Sequence, residues 1–250
     1  MLRAMASDAH ARRKVRLDAL LARAGFGTRK EVRGLIRSGS VRVDGEVCRK
    51  AGEWVGDRVV LVGDERVEPP PDTLQLAVHK PVRLACSHDQ REAPLLYDLI
   101  PVAWQGLGLE AAGRLDRATS GLIVLSTDGQ WIHRLTHPSR KVSKRYRIEY
   151  DGELVADAVE RCARGLELGS DDAPTAPAKL QLDAPGRATL WLREGRQHQV
   201  RRMMRALGAE VTALHRDRIG DYALPDDLAP GELRRLGDDD LERLTTDSTL

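Results

Sequence analysis

The chain has 250 residues, enough for one large core or for a small module joined to a catalytic domain, and no run approaches the roughly 18 apolar residues of a membrane helix. Its three cysteines, Cys48, Cys86 and Cys162, lie far apart without a C-x-x-C pair, which argues against a disulfide framework or a thiolate zinc site and fits a reducing compartment. The formal net charge of +2 hides a polarised chain: residues 1–50 carry 13 Lys/Arg against 5 Asp/Glu, and residues 221–250 carry 3 against 9. A basic head of this kind is a plausible partner for a polyanion.

Residues 1–14 are charged and alanine-rich with no continuous apolar stretch, so they read as a flexible leader of a cytoplasmic protein rather than a secretory signal. Leu17, Leu20, Leu21 and Ala24 recur at helical spacing until Gly25. Thr28 and Glu31 have the spacing of a capping box for a second helix, with Val32, Leu35 and Ile36 on one face and Arg29, Lys30, Arg33 and Arg37 expected to point away from the core. After Gly39, the segment Val41 to Val47 with Asp44-Gly45 at its centre predicts a hairpin closed by a type I′ turn. Two short helices, a basic face on the second and a hairpin resemble the S4-type RNA-binding module over residues 15–68. The resemblance implies that Arg29, Lys30, Arg33 and Arg37 contact RNA. Glu68-Pro69-Pro70-Pro71-Asp72 then predicts a stiff linker, placed at 69–72.

Leu74 to Val78 alternates as a strand and leads into His79-Lys80-Pro81. Leu122 to Leu125 is a short apolar run bounded by Gly121 and Asp128-Gly129, as expected of a buried strand. Trp131, Ile132 and Leu135 predict a helix, Lys144 to Tyr150 a strand, Leu154 to Cys162 a helix, and Gly169 to Pro177 an exposed loop. Ala178 to Leu182 and Ala188 to Leu192 flank the turn signal Pro185-Gly186, and Val200, Met203, Met204 and Leu207 return to helical spacing before Gly208. Strands and helices mixed without a repeated βαβ unit predict an α+β domain, with a mixed, mainly antiparallel sheet flanked by helices, over residues 73–236. An acidic tail occupies 237–250.

An Asp in a glycine-flanked loop, taken alone, caps a turn more often than it catalyses. Here Asp116 lies in Gly113-Arg114-Leu115-Asp116-Arg117-Ala118-Thr119-Ser120-Gly121-Leu122. That string is similar to the signature of the pseudouridine synthases, in the branch that acts on ribosomal RNA. By this resemblance Asp116 is the catalytic residue and Arg114 fills the space that an extruded base leaves behind. Gly195-Arg196-Gln197-His198-Gln199-Val200-Arg201 resembles a second family motif, whose final basic residue, here Arg201, pairs with the catalytic Asp; a guanidinium keeps a buried carboxylate ionised. Arg196 and His198 of that motif, with Lys80, are expected at the RNA. Lys144-Arg145-Tyr146 resembles the basic-x-Tyr segment in which the Tyr, here Tyr146, lies against the target base. The loop after Lys80 departs from the family pattern: His79 stands where the family has Asn, and Arg83 where it has Gly.

The resemblance implies isomerisation of uridine to pseudouridine in ribosomal RNA. No atom is gained or lost, so no cofactor is required, and no metal-ligand cluster is apparent. Segments such as Gly129-Gln130-Trp131 and Leu214 to Gly220 look like the small-subunit branch and imply uridine 516 of 16S rRNA as target, free or in a partly assembled subunit. The alternatives are a large-subunit (23S) synthase of the same branch and a non-catalytic RNA-binding assembly factor. A monomer with no membrane and no obligate protein partner is expected.

Overall fold

The computed structural model describes residues 15–67, 73–140, 142–169 and 173–248. The leader, the proline-rich linker and part of the loop expected at 169–177 lie outside the described residues. The chain divides into two compact units, Met1–Asp72 with Pro101–Gly108, and Thr73–Ile100 with Leu109–Leu250.

In the first unit, α1 (Leu17–Arg23) and α2 (Arg29–Ser38) pack on a four-stranded sheet of β1 (Val41–Val43), β2 (Glu46–Val47), β3 (Val60–Val62) and β4 (Glu65–Arg66), in the order β2-β1-β3-β4. The α2 capping box forms as expected: Glu31 N donates to Thr28 Oγ1 at 3.3 Å while Thr28 N donates to the Glu31 carboxylate at 2.7 Å. Gly39 closes the helix in the left-handed region. Asp44 and Gly45 both take positive φ, as a type I′ turn demands. Leu17, Leu21, Val32, Ile36 and Val41 are wholly buried at the centre.

One expectation for α2 needs correcting. Arg33 does not simply face solvent: its Nε and Nη2 donate to Asp18 at 3.2 and 3.1 Å, and Arg16 donates to the same carboxylate. Burial pushes the Asp18 carboxyl up, but the hydrogen bonds and charges of Arg33 and Arg16 outweigh it and hold the group below its ordinary value. A carboxylate in the first turn of α1, 3% exposed, requires that counter-charge.

After β5 (Gln75–Lys80) come α3 (Val102–Gln105), β6 (Glu110–Ala111), β7 (Thr119–Ser126), α4 (Gly129–Thr136), β8 (Lys144–Gly152), α5 (Ala158–Arg164), β9 (Lys179–Ala184), β10 (Arg187–Leu192), α6 (Gln199–Ala206), β11 (Ala209–Ile219), β12 (Tyr222–Ala223), β13 (Leu233–Arg235) and α7 (Asp238–Thr245). The second unit is built on a sheet ordered β13-β5-β7-β11-β8-β10-β9, with β6 beside β7 and β12 beside β11. The β7–β11 pair is parallel and the other pairings are antiparallel, so the sheet is mixed and mainly antiparallel. Two clusters fill one face. α5 and α6 bury Cys162, Val200, Met203 and Met204 against Ile148, Leu190 and Leu214, while α4 and α7 bury Trp131, Leu135 and Leu244 against Leu122 and Val124.

Two elements differ from the sequence reading. α5 begins at Ala158 rather than Leu154, because the chain leaving β8 is first bound by Val155 N donating to Leu207 O. The acidic tail contains α7, whose first turn holds Asp238, Asp239 and Asp240 where a helix dipole favours anions. Leu244 seats it in the core, fully buried.

Candidate active site

The loop carrying Asp116 precedes β7 and is held from beneath. Lys80, at the end of β5 and 0% exposed, donates from Nζ to the carbonyls of Pro81 at 3.0 Å, Asp116 at 3.2 Å and Thr119 at 2.8 Å. Burial pushes its amine below the ordinary lysine value. Lys80 was expected at the RNA; it is a strut of the loop instead, with its three donors spent on backbone oxygens.

β7 and β11 approach so closely that Gly121 has no substitute. Its φ is +113°, and an added Cβ would collide with the backbone of Arg216, whose N would lie 2.7 Å away. Arg216 is 4% exposed and donates from Nε to Leu122 O at 2.9 Å, while its Nη2 is buried without a partner among the described residues.

Above this support lies a cavity of about 650 Å³. Asp116 and Arg114 line it from the loop, Tyr146 and Lys144 from β8, Arg193 from the end of β10, and Arg201 from α6. The structure thus brings together the three residues expected to be catalytic. Asp116 is partly exposed, Arg114 is exposed without a bonded partner among the described residues, and Tyr146 packs its ring against the α5–α6 cluster.

The arrangement of the second motif differs from expectation. Arg201 makes no ion pair with Asp116. Its guanidinium donates to Val211 O at 2.9 Å and Ala118 O at 3.2 Å, thereby tying α6 and β11 to the loop two residues beyond Asp116. The ionisable neighbour of the carboxylate is His198, whose Nε2 is 3.5 Å from Asp116 Oδ1. His198 takes a left-handed φ of 49° as N-cap of α6, which turns its ring toward the loop. Arg196 is committed elsewhere, donating to Ala173 O at 2.7 Å and Pro174 O at 2.6 Å and pairing with Glu194. It fastens a loop rather than presenting a cation to solvent.

The departures at His79 and Arg83 have structural consequences. Arg83 occupies a left-handed conformation, φ 77°, at the position where the family has Gly. That conformation costs an L-residue about 1–2 kcal/mol, and it lets Arg83 N donate to Arg117 O at 2.6 Å. His79 Nδ1 is bonded to Leu228 O at 2.7 Å, and its ring meets His215 edge-on.

A second cavity, of about 830 Å³, is lined by Arg145, Arg147, Arg187, Thr189 and Trp191. Along β8 and β10 these alternate with the residues of the first cavity, and Asp116, Tyr146 and Arg201 are absent from it. Arg145 and Arg147 are both bound to Asp217, which burial pushes up and the two guanidinium groups hold below the ordinary value. Among the described residues no group of three or more His, Cys, Asp or Glu could hold a metal. No helix among them is long and apolar enough to cross a membrane.

Sequence reasoning missed Lys144, Arg193 and Arg216 as cavity residues. Lys144 was legible only as the basic member of the segment that carries Tyr146; Arg193 and Arg216 had no signal among so many arginines.

Residues 75–206 match the family model for RNA pseudouridylate synthase, and residues 15–65 match the S4 domain. The ribosomal small subunit pseudouridine synthase A of Vibrio parahaemolyticus is 38% identical over 230 residues, covering 91% of this chain and 98% of that protein. The Escherichia coli protein of the same name is 37% identical over 231 residues, with the same coverage. A crystal structure of a pseudouridylate synthase superposes with a TM-score of 0.65 at 34% identity, over 92% of this chain and 99% of the other. With a synthase model matched over residues 75–206, an S4 domain ahead of it and relatives of 37–38% identity along most of its length, this chain belongs to the RNA pseudouridine synthases.

Proposed function

We propose that this enzyme isomerises one uridine of small-subunit ribosomal RNA, uridine 516 of the 16S molecule, with Asp116 as its catalytic carboxylate. The observation that carries the proposal is the Asp116 side chain at a cavity of nucleotide size, beside Tyr146 and the unengaged Arg114. The names of the similar proteins from Vibrio and Escherichia support the small subunit as target.

The target base is stacked in folded RNA and must be extruded, at a cost of a few kcal/mol. Arg114 takes the vacated space. Tyr146 lies against the extruded base, a contact worth about 1–3 kcal/mol. The C1′–N1 bond then breaks, the base turns, C1′ bonds to C5, the C5 proton is lost and N1 gains one. Asp116 acts as nucleophile at the sugar or as the base that removes a ribose proton, and both routes begin from its carboxylate. Arg201 and Lys80 act through the backbone, holding the loop at residues 116–119 so that the carboxylate meets the sugar in one position. The enzyme works as a monomer in the cytoplasm, on free RNA or a partly assembled subunit, with the S4 module of residues 15–68 gripping phosphates through Arg29, Lys30 and Arg37.

The test is incubation of the protein with unmodified 16S and 23S transcripts and with partly assembled small subunits, followed by chemical mapping of pseudouridine. A single modified position at 516 of the 16S transcript is expected. Modification confined to 23S RNA would move the enzyme to the large subunit. Binding without modification of any substrate would leave an assembly factor.

A further inference from the structure

One wall of the active-site cavity is cationic, and the segment after α7 reaches it. Leu192 of β10 pairs with Lys144 of β8, which pairs in turn with Ile219 of β11. Lys144, Arg193 and Arg216 all line the cavity. Asp247 is bound to the two residues that flank this row: its Oδ1 accepts from Ser143 Oγ at 3.0 Å and its Oδ2 from Arg193 Nε at 3.2 Å. The Asp247 side chain is 14% exposed.

The segment is firmly docked. Asp221 N donates to the carbonyls of Arg243 at 2.8 Å and Thr246 at 2.9 Å, and the Asp221 carboxylate accepts from Ser248 N at 3.0 Å and Ser248 Oγ at 2.7 Å. Gly220 passes so near that an added Cβ would lie 2.5 to 2.8 Å from three carbonyls of residues 243–246. An acidic tail kept only for solubility would not need such contacts.

The Lys144 ammonium forms no hydrogen bond or ion pair among the described residues. Burial pushes its amine down and the Arg216 guanidinium pushes it further, while Asp247 pulls it back, leaving it at about 8. The other charged groups on the cavity are Asp116 and Arg114 on the loop, Arg193, Glu194 and Arg196 after β10, and His198 and Arg201 at α6.

We propose that Asp247 is a positioning residue of the reaction, holding the Arg193 guanidinium by a direct ion pair beside Lys144, so that the two cations form a wall against the detached base. The inference rests on the reaction proposed above. When the C1′–N1 bond breaks, its electron pair leaves with N1, and the detached uracil is an anion until C5 bonds to C1′; C5 then gives up its proton and N1 takes one up. A fixed cation in a confined cavity stabilises that charge better than mobile water does. Lys144 is the member of the wall whose charge is labile near neutral pH, so a carboxylate that keeps it protonated extends the working range upward.

The test is the single-turnover rate of pseudouridine formation on 16S transcript against pH, with the intact chain and with melting followed by circular dichroism. In the wild type the rate should fall as pH rises through about 8. Asp247→Asn should move that alkaline limb about one pH unit lower, making the variant close to tenfold slower above pH 8, and Asp247→Glu should restore it. Lys144→Arg, which keeps its charge, should move the limb upward and stands as the test if Asp247→Asn fails to fold. A uniform rate loss with an unmoved limb in either variant would overturn the proposal by reducing Asp247 to a purely structural contact. A wild type that forms no pseudouridine would instead overturn the reaction on which the proposal rests.

Discussion

Asp116 and Lys80 show how differently two charged residues can serve one loop. Asp116→Asn is isosteric and removes charge and nucleophilicity alone, so pseudouridine formation should be abolished while melting temperature and RNA affinity stay near wild type. Residual turnover within about tenfold of wild type would exclude the carboxylate role. Lys80→Met keeps the stem but takes the ammonium donor from the carbonyls of Pro81, Asp116 and Thr119, of which Asp116 O still accepts from Thr119 N at 3.0 Å. Each buried acceptor so orphaned costs about 1–3 kcal/mol, so the variant should unfold at lower denaturant and turn over more slowly. Its RNA affinity and salt dependence should be unchanged, because Lys80 is buried. A shallower salt slope in Lys80→Met would return that lysine to the RNA interface.

At the scale of elements, the junction of β7 and β11 fixes the site. Gly121→Ala combines a left-handed φ, about 1–2 kcal/mol, with overpacking, about 1–3 kcal/mol. Denaturant unfolding should show a loss of roughly 2–5 kcal/mol, and a neutral substitution would mean that the two strands can part. The same junction responds to pH through His215, which accepts or donates a 2.9 Å hydrogen bond with Ser120. Burial pushes the imidazole below its ordinary value, and His79 adds to the effect. The unfolded chain therefore binds a proton near pH 6.5 that the folded chain refuses, so stability falls as pH drops through that value. His215→Gln should flatten the stability profile between pH 7 and 5.5, and an unaltered profile would place the titration elsewhere. Much of this region was legible in the sequence. β5, β7 and the β9–β10 hairpin announced themselves by alternation, apolar runs and turn residues, and α6 by the spacing of Val200, Met203 and Met204. β11 did not, because buried Arg216 and Asp217 interrupt its pattern and two bulges break its alternation. Asp217 is paired with Arg145 and Arg147 of β8 and Arg216 donates to a carbonyl of β7, contacts that a linear reading cannot see. For the same reason the motif that carries Asp116 to the cavity was legible, whereas the diversion of Arg201 to Ala118 O was not.

For the whole molecule, the basic face of the S4 module should supply affinity and positioning more than chemistry. Phosphate contacts carry little base information. Arg29, Lys30 and Arg37 remain exposed, but Arg33 is shared with Asp18. Removal of residues 1–68 should weaken binding to ribosomal RNA and lower the slope of log affinity against log salt by roughly 0.7–0.9 per lost phosphate contact. The chemical step at saturating RNA should change much less. A truncated protein with wild-type affinity and slope would show that this face is merely solvated.

The parallel pairing of β7 with β11 also bears on the order in which activity arises during synthesis. Ser120 and His215 are neighbours in space but 95 residues apart in the chain, and a ribosome adding about 5–20 residues per second needs on the order of 5–20 s to make the interval. Over that time the S4 module can fold and find RNA, whereas the Asp116 loop has no β11 to rest on. The nascent enzyme can therefore recognise RNA before it is able to modify it. Ribosome-stalled chains that expose residues up to about 200 should bind RNA without modifying it, and modification should appear only when β11 has emerged.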